Sequence, residues 1–180
     1  MKVIAICGLP GSGKSTAIEA IKDLGIVVSM GDIVRNEAKK RKLEPSDAII
    51  GKIAKEMRET GGAAIIAEKC IELIKDMSSE VVFVDGVRSL FEVNVFRKLW
   101  KFPIVAIKVD EEKRIKRLFK RGRSDDPKHF QELKIRDKRE REFGQDDVLK
   151  NADYIILNNS TINELKKKSR KLIIDIINNY

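Results

Sequence analysis

Gly8-Leu9-Pro10-Gly11-Ser12-Gly13-Lys14-Ser15, followed by Thr16, holds glycines, a lysine and a hydroxyl at the spacing G-x-x-x-x-G-K-[ST]. That is the spacing of a loop that cradles phosphates. Its glycines let the backbone take positive φ, so that successive N–H groups turn onto phosphate oxygens where a bulky side chain would block them. Lys14 is then expected to reach the β- and γ-phosphates of a nucleoside triphosphate, and Ser15 to ligate Mg²⁺. Asp85, just after an apolar run at 81–84, is the expected second holder of the metal, through water. The expected cofactors are ATP and Mg²⁺, with residues 8–16 as the donor contacts.

A phosphate loop needs a strand before it and a helix after it. Residues 2–7 read KVIAIC, an apolar, β-branched run suited to a buried parallel strand. Ala17, Ile18, Ile21 and Leu24 then recur at helical spacing, with Gly25 as a stop. Further short apolar runs stand at 26–29, 81–84, 104–109 and 154–157. The segments between them carry helical patterns, with Asp32 a candidate cap and Gly61-Gly62 a break. Strands alternating with helices call for right-handed crossovers and a parallel sheet covered on both faces. The fold class read from this pattern is α/β: a P-loop NTPase three-layer sandwich around a five-stranded parallel sheet. A chain of 180 residues suits a single such domain. The charged stretch after the helix at 111–120, running to 142, is not resolved into elements by periodicity.

The net charge of +9 suits a protein that holds polyphosphates, and leaves nucleic acid open but not favoured, because no helix-turn-helix, zinc-finger or aromatic RNA-binding signature is present. Cys7 and Cys70 read as small buried hydrophobes, a usage that fits a reducing cytoplasm rather than a disulfide scaffold. No apolar stretch reaches ~18 residues, so no membrane partner is expected. His129 reads as solvated or structural, and Trp100 and the phenylalanines as core or interface. Charged residues at 36% with few aromatics fit a protein working at high temperature.

Taken together, these motifs resemble the nucleoside monophosphate kinase branch of P-loop proteins, adenylate kinase in particular. Met30-Gly31-Asp32-Ile33-Val34-Arg35 resembles that family's acceptor segment, and Val84-Asp85-Gly86-Val87-Arg88 its strand end with an acceptor-phosphate arginine. Arg117 to Arg121, Arg123-Ser124-Asp125-Asp126 and Arg136 resemble its lid. The ending Ala152-Asp153-Tyr154 through Asn158-Asn159 is similar to dephospho-coenzyme A kinase. As a whole the chain is most similar to an archaeal family related to adenylate kinase.

The resemblance implies a helical acceptor-binding segment at about 31–62 and a short lid at about 121–143. It implies Asp32, Arg35 and Arg88 at the acceptor, and Arg121, Arg123 and Arg136, with Lys14 and Arg88, as the groups that stabilise the moving phosphoryl. Arg117 and Asn158 are implied near the donor. Departures stand beside it: Glu92 occupies the position where that family has a glutamine, and Met30 stands in place of a threonine. The implied reaction is Mg²⁺-dependent transfer of the ATP γ-phosphoryl group to a nucleoside monophosphate. The alternatives are a dephospho-coenzyme A kinase-like enzyme, or a nucleotide-binding regulator or slow ATPase acting on a macromolecular partner. The acceptor and the oligomeric state stay open at this stage.

Overall fold

The computed structural model describes residues 1–44, 46–121 and 129–180, without the side chain at 121. Along the chain run β1 (Lys2–Cys7), α1 (Lys14–Glu19), β2 (Ile26–Ser29), α2 (Met30–Lys40), α3 (Asp47–Gly61), α4 (Ile65–Lys75) and β3 (Val81–Asp85). They are followed by α5 (Leu90–Arg97), β4 (Ile104–Lys108), α6 (Glu111–Arg121), α7 (Phe130–Glu142), α8 (Gln145–Lys150), β5 (Tyr154–Leu157) and α9 (Ile162–Asn178). The strands form a five-stranded sheet in the order β2-β3-β1-β4-β5, and every pairing is parallel. The α/β P-loop fold expected from the sequence is the fold observed.

Side chains alternate across a strand, and β1 shows what this does. Val3, Ala5 and Cys7 enter one core with Met30, Val34 and Ala38 of α2, residues of α4 and α5, and Val148 of α8. Ile4 and Ile6 enter the other, with Ala17, Ile21, and Leu165, Ile173 and Ile176 of α9. Each fully buried aliphatic side chain contributes about 1.5–3 kcal/mol, so a central strand buried on both faces is the structural anchor for the loop that leaves its end. At the β5 edge the cover is one-sided. Ile156 is 4% exposed on the α9 side, while Ile155 and Leu157, pointing the opposite way, are 51% and 60% exposed.

Local chemistry fixes the helix starts. Ser46, Ser89 and Thr161 each accept a hydrogen bond from a backbone N–H three residues on, at 3.3, 3.2 and 3.3 Å. Asp32 is not a cap: α2 begins at Met30 behind Ser29, so Asp32 falls in the first turn, where its carboxylate still favours the positive helix end. The helix after the phosphate loop is also shorter than its apolar spacing implies. Regular α1 ends at Glu19, and residues 20–24 continue as turns. Phe102 holds a φ of 50° while fully buried, stacked on Phe96 with ring centroids 4.2 Å apart. Trp100 joins them at 6.4 Å from Phe96. Phe91, Phe119 and Phe130 are instead exposed. Among the described residues no helix is long and apolar enough to cross a membrane.

Cys7 and Cys70 are free and buried. Burial, helped by the charge of Asp85, pushes the Cys7 thiol up to about 12, and burial with Glu92 does the same for Cys70. The thiolate is the nucleophile. The folded chain is therefore expected to resist iodoacetamide at neutral pH, whereas in denaturant both residues alkylate. Mass spectrometry reads this directly, and rapid modification of the folded chain would contradict it.

Candidate functional site

The phosphate loop leaves the C-terminal end of β1 and enters α1, and its shape depends on glycine. Gly13 has a φ of +106°, and a Cβ there would lie 2.3 Å from Nδ2 of Asn158 and 2.9 Å from Leu165. Asn158 is 3% exposed and donates from Nδ2 to the Ser12 carbonyl at 2.7 Å. Its own N–H is tied to the Lys108 carbonyl at 2.7 Å, so the loop is braced from β5. Left-handed strain costs about 1–3 kcal/mol for a side-chain-bearing residue. Gly13→Ala is therefore expected to weaken ATP affinity by at least about tenfold, measurable by titration with a fluorescent ATP analogue. An unchanged affinity would contradict the bracing.

Register brings the acidic group beside the loop. Asp85 pairs with Ile6 across β3 and β1, one residue short of the strand end. Its Oδ1 is buried without a hydrogen-bond partner among the described residues, as are Oε1 of Gln145 and Nη1 of Arg117. Lys14 donates from Nζ to the Gly8 carbonyl at 2.7 Å. Burial lowers its pKa, and the nearby Asp85 opposes the change. A buried carboxylate oxygen left over near a loop hydroxyl is the donor set a magnesium ion needs, since Mg²⁺ takes one or two protein oxygens and fills the rest with phosphate and water.

These groups line one cleft of about 430 Å³. From the loop come Gly8, Pro10, Gly11, Gly13, Lys14, Ser15 and Thr16. Facing them are Asp85, Arg35 and Arg88, with Arg117 of α6, Arg136 of α7 and Asn158. Leu9 and Ser12 turn away and line a hollow behind the loop with Lys108 and Leu149. Asp32 is exposed and bonded to Nη1 of Arg35 at 2.6 Å, so it orients the arginine from outside the cleft. Arg123, with Ser124, Asp125 and Asp126, and the side chain of Arg121 lie outside the described residues.

Arg88 is held from several sides. Its backbone N–H donates to Oε2 of Glu92 at 2.7 Å, and its Nη1 to the Gly86 carbonyl at 3.1 Å. Glu92 is fully buried and also accepts from Nη2 of Arg58 at 2.7 Å, whose guanidinium sits 4.4 Å over the Phe143 ring. Both carboxylate oxygens of Glu92 are thus committed to scaffolding. The Nε of Arg88 donates to Glu140, whose negative charge raises the arginine's pKa. Burial pushes the Glu140 carboxyl up, but Arg88, Arg139 and Arg136 together outweigh it and hold the group below its ordinary value.

Glu140 and Gln145 also line the cleft, and neither carries a sequence signal. Gln145 donates to the Gly8 carbonyl at 3.2 Å. Gln145 opens α8, and Glu140 is carried by α7, which docks through charge. Asp137 pairs with the buried Arg114, which also donates to the Pro10 carbonyl at 3.2 Å. Arg136 and Arg139 reach Asp47 at the start of α3, at 3.3 and 2.9 Å.

A family model described as an AAA domain matches residues 7–134. The chain is 40% identical over 183 residues to a UPF0200 protein of Methanosarcina mazei, covering 100% of this chain and 96% of that one. It is 42% identical over 184 residues to a UPF0200/UPF0201 protein of Archaeoglobus fulgidus, covering 99% of this chain but only 57% of the relative's length. Among solved structures, shikimate kinase from Acinetobacter baumannii in complex with shikimate is similar with a TM-score of 0.60 and 14% identity, covering 99% of this chain and 94% of that one. At that identity the likeness is one of fold alone.

Proposed function

We propose, since the chain belongs to the UPF0200 family and carries an AAA domain, that it is a cytoplasmic phosphotransferase moving the γ-phosphoryl group of ATP to a nucleoside monophosphate. The observation that carries this reading is that Arg35 and Arg88 share one cleft with the phosphate loop. A triphosphate-binding site alone needs the loop cations only. A second arginine pair opposite the loop is what a second anionic substrate requires, because a planar guanidinium binds phosphate oxygens bidentately and stays charged at any working pH.

In this reading catalysis is alignment and charge neutralisation, with little covalent work for the protein. Lys14 neutralises the donor β- and γ-phosphates. Ser15 and Asp85 would hold a Mg²⁺, which would supply further neutralisation of the phosphates. Arg88 and Arg35 fix the acceptor in line. Arg117 and Arg136, with Arg121 and Arg123, screen the moving group from water. Residues 31–62 serve the acceptor and 121–143 the lid of a single domain. No base is needed when the attacking group is a phosphate oxygen, and His129, exposed ahead of α7, has no part.

The test is ADP formation from Mg-ATP with each nucleoside monophosphate and with dephospho-coenzyme A. Stimulation well above background hydrolysis by a monophosphate is expected. Stimulation by dephospho-coenzyme A alone would replace the acceptor. No stimulation by any of them would overturn the transferase reading and leave nucleotide binding.

A further inference from the structure

Arg88, the arginine assigned to the acceptor phosphate, already carries a buried anion. Its Nε is bonded to Glu140, which is 4% exposed and lines the same cleft. Resting on the transferase reading, we infer that Glu140 is an internal substitute for the acceptor's anionic group, and that it restricts the site to phosphomonoester dianions.

The competition has a clear chemical outcome. A carboxylate ligand offers Arg88 the same contact Glu140 supplies, and it must also lose its translational freedom, so it cannot win the exchange. A phosphomonoester carries about −1.5 to −2 charges at pH 7 and three strong acceptor oxygens. It can engage Arg88 and a second arginine together. Arg88 and Arg35 line the same cleft, with Gly86 and Gly31 beside them. A Cβ on Gly86 would lie 3.5 Å from Nη1 of Arg88 and 3.8 Å from the Gly31 N–H of α2, and a Cβ on Gly31 would lie 3.2 Å from Nη1 of Arg35. With no Cβ at either glycine, both guanidinium groups border the cleft beside the N-terminal turn of α2, the kind of setting that favours an anion. Once displaced, Glu140 still has Arg136 and Arg139 on its own helix as counter-charges.

The probes are AMP, inorganic phosphate and acetate, titrated calorimetrically into the chain saturated with a non-hydrolysable ATP analogue. Wild type is expected to bind AMP and phosphate and to ignore acetate. Glu140→Gln is expected to bind AMP and phosphate about tenfold more tightly, because one charge-assisted competitor is removed, and to admit acetate. Glu140→Asp, which withdraws the carboxylate by one methylene, should fall between them and serves if the amide variant does not fold. Arg88→Met should weaken AMP in either background. If Glu140→Gln and Glu140→Asp match wild type while Arg88→Met weakens AMP, the inference is overturned and the transferase reading stands. If Arg88→Met also changes nothing, or no probe binds wild type, the acceptor site itself is wrong and the inference falls with it.

Discussion

Lys14→Met is expected to lower phosphoryl transfer by about a thousandfold, the scale set by deleting one preorganised charge donor aimed at a transition state. In the folded chain Nζ of Lys14 lies 2.7 Å from the Gly8 carbonyl, within the phosphate-loop motif. Burial lowers its pKa, so the site works against a bare ammonium and gains most when phosphate oxygens replace the lost water. Methionine, one atom shorter, keeps most of the apolar stem and removes the charge with its bond to the Gly8 carbonyl. Binding and chemistry should separate: ATP affinity falls modestly in calorimetry, while the single-turnover rate collapses. A variant retaining a tenth of the wild-type rate would remove Lys14 from the mechanism.

The largest stability effect is expected away from the phosphates, at the pair between Arg114 and Asp137. Arg114 is 3% exposed and Asp137 8% exposed. Two guanidinium nitrogens meet the two carboxylate oxygens, and Nη1 also donates to the Pro10 carbonyl. Asp137→Ala leaves the buried guanidinium with only the Pro10 carbonyl and the exposed Glu111 at 3.9 Å, so it should cost about 3–5 kcal/mol. Replacing both, as Arg114→Met with Asp137→Leu, should restore most of that stability. Denaturant unfolding of the singles and the double closes the cycle. A single-variant loss under about 1 kcal/mol would mean the pair is solvated in solution. The double variant should still lose some nucleotide affinity, because Pro10 no longer has its donor.

The same pair explains what could be read in the sequence. The phosphate loop and its strand are contiguous, and each strand announces itself as an apolar run, so the loop side of the cleft and the parallel sheet were legible from local pattern. Arg35, Arg88, Arg117 and Arg136 are far apart in the chain, and only family likeness suggested that they meet. Glu140, Asp137 and Arg114 were illegible for a physical reason: charged residues in a charged run are read as solvated, and here their partners lie on other elements. Glu92 stood out in the sequence only as a departure from the family's glutamine, and its role was illegible for the same reason: its two oxygens hold Arg58 and the Arg88 backbone. Asn158 was expected near the donor; what the structure shows is a brace, its Nδ2 bonded to the Ser12 carbonyl of the phosphate loop.

The mode by which α7 is fastened has a thermal consequence. Its buried face is built on Leu133, Asp137 and Glu140, with Arg136 and Arg139 beside them, and Ile135 points outward at 66% exposure. Hydration of charged groups becomes less favourable as temperature rises, so the penalty for drying such ion pairs shrinks on heating while apolar burial per unit area levels off. Helix α7 is therefore held better, relative to the rest of the fold, in hot solvent than in cool, and because its pairs are buried, added salt should loosen it little.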